Sequence, residues 1–153
     1  MNRALVLARL YDWNPWWKGG VPETPAFHRD AFIELERHLA QPKAVILTGL
    51  RQTGKTTTIL QRIASGSEGE RRRCCYLPLD QLEPDLERWK VTLEEVLRFW
   101  SEEVAGAPLS QPPIKYVFLD EAHFVPTWAR ELKGILDRHW PVRFVLNGSA
   151  AVT

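Results

Sequence analysis

Gly49-Leu50-Arg51-Gln52-Thr53-Gly54-Lys55-Thr56 decides how this chain is read. It fits the pattern G-x-x-x-x-G-K-[ST], a glycine-rich turn that wraps a phosphate. The apolar run Ala44-Val45-Ile46-Leu47 precedes it, and Ile59, Leu60, Ile63 and Ala64 follow at helical spacing. The pattern has physical meaning only in this strand–loop–helix setting. Gly49 and Gly54 let the backbone approach an anion, and the N-terminus of the following helix aims N–H groups and a positive dipole end at it. Lys55 is placed to reach the β- and γ-phosphate oxygens, and Thr56 to hold Mg²⁺ through its hydroxyl.

Outward from the loop, apolar runs alternate with helical patterns. A helix is expected over 3–11 and another from about Phe27 to Leu39, where Phe32, Leu35 and Leu39 share a face. The first strand covers about Lys43–Thr48 and the loop helix runs to Ala64. Ser65–Gly69 reads as a turn, and Arg71-Arg72-Arg73 as a solvated edge. Cys74–Leu79 is a second strand ending at Asp80. Its Pro78 lacks an amide donor, which sends it to a sheet edge or ends it there. Glu83–Arg88 reads as a proline-broken acidic connection. Thr92-Leu93-Glu94-Glu95 is a capping box opening a helix whose stripe is Leu93, Val96, Leu97, Trp100 and Val104. Gly106–Pro113 is a loop, Lys115–Leu119 a third strand, and Pro126 the start of a helix that Pro141 stops. Val142–Leu146 is a fourth strand.

Such alternation defines an α/β class with a mainly parallel sheet. Parallel sheets gather ligand groups at the carboxyl ends of their strands. Here those ends carry Gly49–Thr56, Asp80, Asp120-Glu121 and Asn147–Ser149. Asp120 follows Tyr116-Val117-Phe118-Leu119, where a carboxylate can hold a Mg²⁺-bound water beside Thr56. Glu121 is the candidate to orient and deprotonate an attacking water. Asn147 stands where it can reach the γ-phosphate or that water, though Asn-Gly is also an ordinary turn pair. The expected site is thus Gly49, Leu50, Arg51, Gln52, Thr53, Gly54, Lys55, Thr56 and Thr57 around the phosphates. Thr56 and Asp120 serve the metal, and Lys55, Glu121 and Asn147 serve the chemistry. The phosphates of a nucleotide and Mg²⁺ are the implied ligands.

Composition sets wide bounds. The 153 residues suit one domain with a real core, and a net charge of +1 supplies no basic field for nucleic acid. Cys74 and Cys75, the only cysteines, point to opposite faces of a strand and read as buried reduced thiols. No stretch is long enough to span a membrane, so a cytoplasmic location is expected. Trp13, Trp16 and Trp17, three of seven tryptophans, cluster in a Pro- and Gly-flanked segment. They read as packing for an irregular arm, or as an aromatic wall near the base or a subunit contact.

Taken together, the motifs resemble those of AAA-type ATPases of archaea and bacteria, in the additional-strand class of P-loop NTPases. Members read close to G-P-R-R-V-G-K-T-T, L-D-E-I-Q and S-G-S. The chain has Gly49–Thr57, Leu119-Asp120-Glu121-Ala122-His123 and Asn147-Gly148-Ser149 at those places. Asn14-Pro15-Trp16-Trp17 matches an N-P-W-W segment of some archaeal members, and Tyr76-Leu77-Pro78-Leu79-Asp80 resembles their second strand. The resemblance implies a three-layer P-loop NTPase core of RecA/AAA-like type with sheet order 5-1-4-3-2. Strands one to four are supplied, and the fifth strand and helical lid are missing. Residues 1–42 are then an N-terminal arm and helix, and 43–153 a truncated ATPase core.

The implied activity is Mg-dependent ATP hydrolysis driving a conformational switch, acting on a protein partner or a C-terminal effector domain, with an oligomer left open. Asp120-Glu121-Ala122-His123 also spells a helicase motif, so a nucleic-acid translocase fragment is one alternative. A nucleotide-binding module without turnover is another, which leaves the enzymatic assignment open.

Overall fold

The computed structural model describes residues 2–26, 30–41, 44–47, 54–122 and 126–148. Among them four strands form one parallel sheet in the order β1-β4-β3-β2. They are β1 (Val45–Leu47), β2 (Cys74–Pro78), β3 (Lys115–Asp120) and β4 (Val142–Asn147). That is the order the resemblance implies for strands one to four. The strands are apolar on both sides because helices cover the sheet: Cys75, Leu77, Val117, Phe118, Phe144 and Val145 are all buried. Register pairs Pro78 with Asp120, and Leu47 with Asn147. All four carboxyl ends therefore reach the same edge of the sheet.

Seven α-helices connect and flank the strands among the described residues: α1 (Arg3–Trp13), α2 (Asp30–Leu39), α3 (Lys55–Ala64), α4 (Glu68–Arg72), α5 (Leu79–Trp89), α6 (Leu93–Trp100) and α7 (Pro126–Asp137). The capping box of α6 is formed, with the Thr92 hydroxyl and the Glu95 carboxylate exchanging bonds with each other's backbone N–H. α6 continues through one π-helical turn, Ser101–Ala105, and stops at Gly106, whose φ of 84° is cheap only without a Cβ. α2 packs on α3 and β1, whereas α1 packs on α6 and β2. The expected start of α2 at Phe27 lies outside the described residues.

Two expectations need correction. The segment expected as a turn, Ser65–Gly69, gives way to a helix, because Ser67 accepts from the Glu70 N–H and caps α4. The expected broken connection, Glu83–Arg88, lies inside α5. Pro84 sits in its second turn, where the ring removes a single backbone donor. Leu79 and Leu82 are buried, and buried Asp85 accepts from Arg9 at 3.0 Å and from Arg88. This burial and the tie to α1 outweigh the lost bond. The helix also shortens the second strand, so Leu79 and exposed Asp80 belong to the first turn of α5.

Pro78 behaves as its chemistry requires: β2 is an edge strand among the described residues, and it ends at that proline. An open edge leaves unpaired N–H and C=O groups. Here the N-terminal segment satisfies them with side chains. Asn14, fully buried, accepts from the Tyr76 N–H at 2.6 Å and donates to the Tyr76 carbonyl at 3.0 Å. The indole N–H groups of Trp16 and Trp17 both donate to the Cys74 carbonyl, at 3.2 and 2.8 Å. Trp17 stacks on Trp100 with centroids 6.3 Å apart. Of the two readings of the tryptophans, packing is the one seen for Trp16 and Trp17, which join the main core beside Val6 and Leu10. No helix among the described residues is long and apolar enough to cross a membrane.

Candidate functional site

Gly54 caps α3 with φ 78°, a left-handed conformation that a side chain would strain. Its carbonyl accepts from both the N–H and the hydroxyl of Thr58, at 2.8 and 3.0 Å, which fixes the first turn. Lys55 opens the helix and Thr56 and Thr57 follow within the same turn. The helix that the phosphate motif requires is thus present directly after Gly54. Gly49, Leu50, Arg51, Gln52 and Thr53 lie outside the described residues, as do His123 and Ser149.

The site centres on Asp120, at the end of β3 and only 1% exposed. A carboxylate taken out of water must recover its lost hydration as hydrogen bonds. Among the described residues four donors do this. The Thr56 hydroxyl donates to Oδ2 at 3.0 Å, and the Tyr76 hydroxyl donates to the same oxygen. The Glu121 N–H donates to Oδ1 at 2.9 Å, joined there by the Asn147 side-chain amide. Thr56 and Asn147, proposed from different stretches of sequence, therefore each contact Asp120 directly. Burial, followed by the bond to Asp120, pushes the Tyr76 phenol well above its ordinary value, so it stays a donor.

Glu121 leaves the strand at φ 50°, an uncommon conformation for a residue with a Cβ. The turn folds its N–H back onto Asp120 and leaves its side chain exposed beside the buried carboxylate. The next residue closes the edge, since the Ala122 N–H donates to the Asn147 carbonyl at 2.8 Å. Asn147 is 4% exposed, which sets it apart from an ordinary solvent-facing turn residue.

A small hard cation fits these groups. The Asn147 Oδ1 is buried and has no hydrogen-bond partner among the described residues. With the Asp120 carboxylate and the Thr56 hydroxyl it completes a set of hard oxygen groups, the chemistry Mg²⁺ prefers. No group of three or more His, Cys, Asp or Glu side chains suited to a metal occurs among the described residues. That agrees with the habit of Mg²⁺ to bind one or two carboxylates and complete its shell with water and phosphate.

Sequence reasoning missed Tyr76 and Asn14 as parts of this site. Tyr76 carries the one polar side-chain group in an otherwise apolar strand, and it stands two residues before the position that pairs with Asp120. That polarity and register were the available signals. Asn14 stood out only as part of the Asn14-Pro15-Trp16-Trp17 match, which does not point to its partner, because it acts through backbone groups 62 residues away.

A parallel α/β sheet with a G-K-T helix start meeting a buried strand-end aspartate is the arrangement of a P-loop NTPase-like domain. The AAA domain family model matches residues 41–153, and the chain belongs to that family. Neither a curated protein nor a solved structure matches the chain.

Proposed function

We propose that this chain binds ATP with Mg²⁺ at Gly49–Thr57 and hydrolyses it. Contact between the Thr56 hydroxyl and Asp120, at 3.0 Å, carries the reading. It sets the first turn of the phosphate helix against the strand-end carboxylate, as a shared cation would need. Lys55 neutralises charge on the β- and γ-phosphates, and the backbone N–H groups of the loop cradle them. Thr56 and Asp120 hold the cation, which when bound offsets phosphate charge and aligns the γ-phosphoryl group. Glu121 positions a water whose oxygen attacks the γ-phosphorus and takes up the water's proton. The bond from that phosphorus to the bridging oxygen breaks, and ADP leaves with phosphate. Asn147 senses the γ-phosphate from the end of β4. Its loss on hydrolysis shifts the loop against Asp120 and moves a partner or effector domain.

Calorimetry with ATP, with and without Mg²⁺, tests the site. Saturable binding by the native chain and its loss in Lys55→Ala are expected; no binding by the native chain overturns the reading. A phosphate-release assay on the same protein separates turnover from binding alone.

A further inference from the structure

We propose that Tyr76 is a positioning residue for the cation-holding carboxylate, and that Asn14 and Trp16 of the N-terminal arm keep it in place. The inference rests on the ATP·Mg²⁺ reading above and extends the site to a part of the chain outside the nucleotide motifs.

Two hydroxyls share the Asp120 Oδ2, those of Thr56 and Tyr76. Thr56 is also the hydroxyl that the cation requires. A cation takes a lone pair of that hydroxyl and leaves its O–H free to donate, so Thr56 and Tyr76 can hold Oδ2 together when the cation is bound. Buried carboxylates that lose donors reorient or take up new partners. Tyr76, whose hydroxyl plays no part in binding the cation, therefore holds the carboxylate in place whether or not the cation is bound. The partners around metal-binding groups commonly set affinity in this way.

Tyr76 itself is fixed from the other side. Asn14 pairs with both its N–H and its carbonyl, at 2.6 and 3.0 Å. Trp16 meets its ring edge-on, with centroids 6.4 Å apart and planes at 72°. Asn14 is in turn held by its own bond to the Leu10 carbonyl, at 2.9 Å. A continuous path of direct contacts thus runs from α1 through Asn14 and Tyr76 to Asp120. Displacing the arm would move the phenol and loosen the carboxylate.

The test is the Mg²⁺ dependence of ATP binding, read by calorimetry in EDTA and across a Mg²⁺ titration, with thermal unfolding as the control for folding. Tyr76→Phe keeps the ring and removes the donor. It should leave ATP affinity in EDTA within about twofold of native and raise the Mg²⁺ needed for half-maximal enhancement by about tenfold. Trp16→Phe leaves the Trp17 indole on the Cys74 carbonyl and should shift the Mg²⁺ requirement the same way by a smaller factor. An unchanged Mg²⁺ requirement in Tyr76→Phe overturns the proposal while leaving the ATP site standing. Equal weakening with and without Mg²⁺ overturns it too, because that pattern marks general damage. A shift in Tyr76→Phe with none in Trp16→Phe overturns the role of Trp16. A native chain without Mg²⁺-dependent ATP binding overturns both this inference and the reading beneath it.

Discussion

The side-chain amide of Asn14 pairs with the backbone of Tyr76 as a neighbouring strand would, accepting from its N–H at 2.6 Å and donating to its carbonyl at 3.0 Å. One buried side chain thereby closes the exposed edge of β2 at the residue that reaches the Asp120 carboxylate. Asn14→Ala would leave the Tyr76 N–H and carbonyl without these partners, and would remove one from the Leu10 carbonyl. Buried groups left unpaired cost about 1–3 kcal/mol each before relaxation. The variant should lose about 3 kcal/mol of stability, seen as a lower urea midpoint at unchanged m-value. A loss below about 0.5 kcal/mol would mean that water replaces the amide freely at this edge.

The chain order of strands and helices was legible because it depends on local signals. Apolar runs marked β3 and β4, and the Thr92–Glu95 box marked the start of α6. One error was local, the Ser67 cap that starts α4 having been read as a turn, and the other fell where tertiary contacts overrule local chemistry. Pro84 argued against a helix, yet burial of Leu79 and Leu82 and the Arg9–Asp85 tie sustain α5 around it. At the candidate site, Thr56 and Asp120 were picked out because the phosphate and metal chemistry expected of the sequence calls for those types next to a loop and a strand end. Tyr76 and Asn14 were not, because their parts depend on which backbone groups the sheet leaves unpaired at its edge.

Asn147 offers a sharper test of the site's electrostatics. Its amide donates to the Asp120 Oδ1 in a setting where both residues are almost fully buried. Asn147→Asp would put a second carboxylate against the first. The expected cost is about 3 kcal/mol or more near neutral pH, because the donor is lost and like charges meet out of water. A close carboxylate pair takes up a proton more readily than either group alone, so the penalty should shrink as pH falls toward about 5. Urea unfolding of the variant and native chains at the two pH values checks this. A pH-independent penalty would indicate that the new side chain turns away from Asp120.

The two thiols give a prediction in the alkaline range. Cys74 and Cys75 are free and buried, which agrees with the reduced pair expected from the sequence. Burial pushes the Cys74 thiol up to about 12 against an ordinary 9.0, with Arg62 opposing, and burial also raises Cys75. A thiol whose folded value is raised adds stability that is complete below its unfolded value and is lost as pH climbs toward the folded one. That window runs from 9.0 to about 12 for Cys74. The native chain should therefore lose thermal stability above pH 9.0, and Cys74→Ala with Cys75→Ala should flatten that fall. Iodoacetamide at pH 8 should label both residues only after unfolding, since the thiolate is the reactive form. Rapid labelling of the folded chain would contradict their burial.

Glu121 separates binding from turnover. Its side chain is exposed beside Asp120, while its own N–H is committed to that aspartate at 2.9 Å. The backbone bond does not depend on the carboxylate, so Glu121→Gln should leave Asp120 and its donors in place. The amide can still orient a water but accepts its proton poorly, which removes general-base assistance worth about 10²–10⁴ in rate. ATP affinity in the presence of Mg²⁺ should stay within about threefold of native, while phosphate release falls by about a hundredfold or more. A variant that binds and turns over like the native chain would place the base elsewhere. One that loses both would show that the Glu121 carboxylate supports nucleotide binding as well as hydrolysis.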